Sequence, residues 1–212
     1  MENMMKIYEF KGFPNPARVR IALAEKGVFD KAEFIQVDVP AGEHLKPEYL
    51  AKNPSAVVPI LELEDGSVIS ECIAITEYID GMWGDQTLTG RSAMERAQIS
   101  MIQRKVEAGF LDAVAAFFHH ATPGLGPDVE SYQNEDWGIK QREKALLTLQ
   151  WMDGILCHQE YLAGDRFTVA DITAFGGFMF AGFIEMDIPD TCIHVRAYAE
   201  RLGNRPSILL AS

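Results

Sequence analysis

Near residue 83 the hydrophobic rhythm of this 212-residue chain changes, and that change limits the folds open to it. Before it, segments of period two alternate with segments of period 3.6; after it, only the helical period remains. "KIYEF" (6–10) reads as a strand. Ala17 to Lys26 reads as a helix, with Asn15 as N-cap, Pro16 at the first helical position and Gly27 just past the end. "AEFIQVDV" (32–39) is a second strand, and "PILEL" and "SVIS" flank Asp65-Gly66, a strong hairpin signal. "CIAITEYID" (72–80) closes the series as a helix. The order β, α, β, connection, β, β, α predicts a four-stranded sheet whose first pair is joined by a helical crossover and whose second pair is a hairpin, a thioredoxin-like arrangement.

The second half reads as all-helical. Ile99, Ile102, Val106, Phe110, Ala113 and Phe117 recur at spacings of three and four, which predicts one long helix over about 91–120. "TPGLGP" (122–127) ends it, and another helix covers about 135–158. In "DRFTVADITAF", Thr168 and Asp171 have the spacing of a capping box. The expected domains are therefore 1–82, thioredoxin-like, and 91–212, all-α, joined by the linker 83–90, "WGDQTLTG".

Charge and composition exclude several functions. A net charge of −12 without a basic block repels nucleic acid and anionic membranes alike. The longest apolar run, "AFGGFMFAGFI" (174–184), is too short to span a bilayer, and the N-terminus has no signal-peptide pattern, so a cytoplasmic protein is expected. The Phe and Met cluster at 175–186 reads mainly as helix core, with part available to line an apolar pocket. Cys72, Cys157 and Cys192 are odd in number and lack C-x-x-C spacing, which points to reduced thiols and to no metal site.

Three backbone features of the first half carry chemistry. The helix start at Asn15 offers unpaired N–H groups and the positive end of a dipole to an anion. A cis Val58-Pro59 bond would leave the Val58 N–H and C=O free to pair with an extended peptide. "SECIAI" (70–75) opens a second helix beside Glu71, which suits the carboxylate and amine of an amino acid.

"PNPARVRIALAEKG", "GEHLKPEYLAKNPSAVVPILELEDGSVISECIAITEYI" and "FTVADI" resemble the cytosolic glutathione S-transferase family in order and separation, across nearly the whole chain. "GEH", "HHATPGLGP" and "SECIAI" resemble its Gtt2-like fungal and bacterial branch. The resemblance implies a homodimer that joins the glutathione thiolate to small hydrophobic electrophiles. It also implies that Val58 and the cis Pro59 receive the cysteinyl part of glutathione, that Glu71 and Cys72 receive the γ-glutamyl end, and that His44 reaches the glycyl end. Cys72 stands where many relatives have Ser, and Ala56 where delta-like relatives carry a second His.

The largest departure is at Phe13, which stands where theta- and delta-like relatives have the catalytic Ser. Tyr8 is a substitute donor, although register against the helix puts Glu9 nearer the tyrosine position of alpha-, mu- and pi-like relatives. The expected donors are instead Asn15, the local backbone, and a water oriented by His119 or His120, with Ala115 in place of the Ser that anchors such a water in Gtt2-like relatives. The rival readings are a glutathione-dependent peroxidase or isomerase and a non-catalytic binding protein of the same fold. The Ser-Ser-Cys signature of isomerase relatives is absent from the first loop.

Overall fold

In the computed structural model, which describes residues 5–85, 87–127 and 129–211, β1 (Met5–Glu9), β2 (Ala32–Gln36), β3 (Ile60–Glu62) and β4 (Val68–Ser70) form one sheet in the order β2-β1-β3-β4. Residues before Met5, Gln86 of the expected linker, Asp128 and Ser212 lie outside the described residues. β1 and β2 are parallel and are connected through α1 (Pro14–Glu25); β3 is antiparallel to both β1 and β4. The Asp65-Gly66 turn closes the β3–β4 hairpin: Gly66 has φ of +83°, and the Ser67 N–H donates to Asp65 Oδ1 at 2.8 Å. This is the thioredoxin-like order that the alternating periodicity predicts.

Side chains alternate across β1. Met5, Ile7 and Glu9 are buried on the face toward α1, whereas Tyr8 faces Tyr49 of α2 (Pro47–Leu50). Ile60, Val37 and Tyr49 form the small core on the α2 side, with Tyr8, Val58 and Val68 packed against it. α3 (Cys72–Met82) packs on α1.

By its contacts the chain divides into two units, one running to Thr89 and taking in the chain from Pro206, the other covering Gly90–Arg205. Residues 87–89 are fastened to the first unit by Asp80, whose buried carboxylate accepts from the Thr87 and Thr89 N–H groups and the Thr89 hydroxyl. Lys26 Nζ donates to Asp80 Oδ1 at 2.8 Å and to the Asp85 carbonyl at 2.6 Å.

The helical unit holds α4 (Ala93–Val106), α5 (Asp112–Ala121), α6 (Glu135–Leu156), α7 (Val169–Phe183) and α8 (Ile193–Gly203). The single long helix expected over 91–120 is interrupted: Glu107–Leu111 forms a wide i→i+5 turn between α4 and α5. The extra residue rotates the helix, so the buried face continues through Val114 and Phe118 rather than Phe117. The capping box forms as expected: the Ala170 N–H donates to Thr168 Oγ1, and the Thr168 N–H donates to Asp171 Oδ2 at 2.8 Å. The last helix, α9 (Pro206–Ala211), packs on α1 in the first unit.

Candidate active site

The first turn of α1 is unusual in its donors. The helix begins two residues earlier than the sequence predicts: Phe13, not Asn15, is the N-cap, with extended φ/ψ of −81°/147°. Pro14 and Pro16 both fall inside the first turn, where an N–H would have no helical partner in any case. The Phe13 N–H donates to the Phe10 carbonyl at 3.2 Å. Asn15 therefore carries the backbone N–H of this turn that has no partner among the described residues. Its side chain is also oriented: Oδ1 accepts from Arg18 Nη1 at 3.0 Å, which leaves Nδ2 as a free donor at the exposed helix start. Phe13 is half-buried and packs its ring 4.6 Å from that of Phe10.

Tyr8 is not placed to help. It lies on the α2 face of the sheet, where its hydroxyl donates to Glu62 Oε2 at 2.9 Å and Lys52 pairs with the same carboxylate. Burial and the bond to Glu62 raise the Tyr8 hydroxyl above its ordinary value. Glu9 points the other way, fully buried against Arg20.

The Val58-Pro59 bond is cis, as expected. Tyr49 Oη and Asn53 Nδ2 both donate to the Val57 carbonyl, at 2.6 and 2.9 Å, and so brace the bend. Neither the Val58 N–H nor its C=O has a partner among the described residues. Pro59 is buried beneath this open edge.

Glu71 caps α3 with φ of +72°, a region that a residue with a Cβ enters at a cost of about 1 to 3 kcal/mol. Its side chain is exposed. Cys72, next along, is buried and donates its thiol to the Asn15 carbonyl at 3.4 Å, tying the start of α3 to the start of α1. His44 sits in the one-turn helix Glu43–Leu45, half-buried, and its Nδ1 is shielded from solvent without a partner among the described residues.

His119 lies in the other unit, in the last turn of α5. Its Nδ1 is 2.7 Å from Glu130 Oε1, which also accepts the Leu125 N–H at 2.8 Å. Burial pushes the Glu130 carboxyl up, but these two bonds outweigh it and hold the group below the usual carboxylate range. His119 is thus the anchor of the loop after α5. His120 accepts the Asn134 N–H at its Nδ1, 3.2 Å away. Among the described residues no three metal-ligating side chains come together.

Known proteins show the same organisation. The family model described as "Glutathione S-transferase, N-terminal domain" matches residues 14–82, and "Glutathione S-transferase, C-terminal domain" matches 110–206. "Glutathione S-transferase 2" of Saccharomyces cerevisiae is 49% identical over 98% of this chain and 89% of its own. The chain belongs to the glutathione S-transferase family. Among solved structures, Gtt2 from Saccharomyces cerevisiae superimposes with a TM-score of 0.95 at 48% identity, covering 98% of this chain and 100% of that one. A glutathione S-transferase domain-containing protein of Marinobacter aquaeolei has a TM-score of 0.94 at 55% identity, covering 96% and 99%. Against that glutathione S-transferase background, sequence reasoning found the cis-proline edge and the acidic cap but set the start of α1 two residues late. It missed the Arg18 bond that orients Asn15, an i,i+3 pair that becomes readable once the helix start is placed at Phe13, and the thiol bond from Cys72, which joins residues far apart in sequence.

Proposed function

We propose that the chain catalyses attack of the glutathione thiolate on small hydrophobic electrophiles, acting as a cytoplasmic homodimer. The observation that carries this reading is the open main-chain edge of Val58 in the same domain as two helix starts joined through Cys72 and Asn15. Val58 takes the cysteinyl backbone over the buried Pro59, Glu71 and Cys72 take the γ-glutamyl end, and His44 takes the glycyl end with its unpartnered Nδ1. Phe13 packs beside the sulfur. In the helical unit Phe118, Phe180 and Phe183 cluster with ring centroids 5.4 to 6.4 Å apart, and exposed Phe183 offers apolar surface for an electrophile. Met94 and Met101, two turns apart on α4 and both exposed, are apolar surface of the kind a second copy covers. The three cysteines are free thiols, in keeping with a reducing compartment.

Activation without a hydroxyl is affordable in energy. A free thiol titrates near ~8.5, and lowering it by about two units requires roughly 2.7 kcal/mol of differential stabilisation. A helix N-terminus supplies about 0.3 to 1 kcal/mol, and up to ~2 in a partly buried site. One hydrogen bond to the charged sulfur adds about 1.5 to 3 kcal/mol. Asn15 offers two such donors, its N–H and its Nδ2, and His119 keeps the role that the Gtt2-like resemblance gives it, orienting a water.

Conjugation of a chlorinated aromatic substrate tests the assignment. Asn15→Ala removes Nδ2 and lowers kcat/KM roughly tenfold or more, with its pH profile displaced upward. His119→Ala lowers the rate several-fold. Parental rates and an unchanged pH profile for both variants would remove these roles, and retention on immobilised glutathione with no turnover by the parent would favour the non-catalytic binder.

A further inference from the structure

The loop that carries Phe13 and leads to Asn15 is backed by three side chains, Glu9, Arg20 and Gln36, bonded to one another, of which Gln36 also holds the loop backbone. Glu9, the last residue of β1, is 0% exposed, and its carboxylate is gripped by Arg20 of α1 through Nε at 2.9 and 3.0 Å and Nη2 at 2.5 Å. The Arg20 guanidinium lies 3.9 Å from the Phe34 ring centroid of β2, which fixes its plane. Gln36, at the end of β2, donates from Nε2 to Glu9 Oε1 at 3.0 Å and accepts the Lys11 N–H on Oε1 at 2.9 Å. That second bond seizes the loop at its second residue. Two residues on, the Phe13 N–H closes back on the Phe10 carbonyl across Gly12, whose φ of +93° suits the tight turn. An unbroken relay runs from α1 through Glu9 and Gln36 to the loop that begins α1.

We infer that Gln36 is a positioning residue for the thiolate site: through the Lys11 N–H it sets the course of residues 10–13, and so the direction in which Asn15 presents its donors. The inference rests on the reading of Asn15 as the donor. Gln36 is exposed, so replacing it opens no cavity in the core. Its two hydrogen bonds are local, whereas their effect falls on a donor angle to which a bond to sulfur is sensitive.

Two substitutions separate positioning from mere structure. Gln36→Met keeps length and loses both bonds; kcat/KM for glutathione falls about fivefold, with the melting temperature near the parent's, and the activity ratio to the parent declines as pH is lowered because the bound thiol titrates higher. Gln36→Glu keeps the acceptor for Lys11 but sets a carboxylate against Glu9. The new carboxylate stays ionised over the range in which the bound thiol titrates and cannot donate to Glu9, so its ratio to the parent also declines as pH is lowered. The double variant Asn15→Asp, Gln36→Met closes the cycle: if Gln36 acts through Asn15, adding Gln36→Met to Asn15→Asp costs little more than Asn15→Asp alone. Parental kcat/KM and pH profile for Gln36→Met, or effects that simply multiply in the double variant, would overturn the positioning role while leaving Asn15 as donor. A silent Asn15→Asp would instead overturn the donor reading, and the role of Gln36 with it.

Discussion

Phe13 stands where a hydroxyl is expected, and the residues around it present other donors. It closes the N-terminus of α1 by its backbone alone, and Asn15, displaced into the first turn, is left with a free N–H and an amide whose oxygen is already committed to Arg18. Glu71 holds a positive φ at the second helix start, which is how its exposed carboxylate is set beside the α3 N-terminus. Glu71→Ala keeps that backbone and removes the charge, so the KM for glutathione rises roughly tenfold while kcat changes little; an initial-rate series in glutathione measures it, and an unchanged KM would remove Glu71 from amine binding. At this scale the sequence singled out candidate residues but not how they are held. "NP" marks a helix start, yet with prolines on both sides of Asn15 two starts fit the same letters, and only φ/ψ at Phe13 decides between them.

Elements were legible where periodicity is strong and least legible where two helices touch. The order of strands and helices, the hairpin at Asp65-Gly66 and the capping box at Thr168 follow from local chemistry, so they could be read. The wide turn at Glu107–Leu111 could not, because "EAGFL" has an unremarkable helical pattern, and α6 and α7, which pack on the turn, are distant in sequence. Glycines show the same limit. Gly177 in α7 reads as a weak point in a helix, but a Cβ there would lie 2.4 Å from Phe110 Cδ1, so the glycine is what lets α7 approach the wide turn. Gly177→Ala accordingly costs about 1 to 3 kcal/mol of stability despite the better helix propensity of alanine. Denaturant unfolding measures this, and a variant as stable as its parent would show that the approach is looser than described.

At the scale of the whole chain, the sequence indicated two domains through the change in rhythm, but not the fastening of 87–89 to the first unit or the packing of α9 on α1, which join residues far apart in sequence. The Lys26–Asp80 pair at that fastening is buried and fully hydrogen-bonded. Burial pushes the Asp80 carboxyl up, but Lys26 and the Thr89 donors outweigh it and the group lies below its ordinary value. Such a carboxylate stabilises the fold above its unfolded pKa, and that contribution is lost as pH falls through the lower folded one. Asp80→Asn leaves the Lys26 charge uncompensated and costs about 3 to 5 kcal/mol at neutral pH, with the gap to the parent narrowing in acid. Equal stability of variant and parent across that range would show that the pair contributes nothing. For the molecule as a catalyst, the central claim is that Asn15 and the helix start stabilise the thiolate in place of a hydroxyl. Ultraviolet titration of glutathione bound to the parent and to Asn15→Ala tests it most directly. The bound thiol is predicted to titrate well below ~8.5 in the parent and to return upward by about one unit or more in the variant. The same midpoint in both proteins, or a parental midpoint no lower than that of free glutathione, would contradict it.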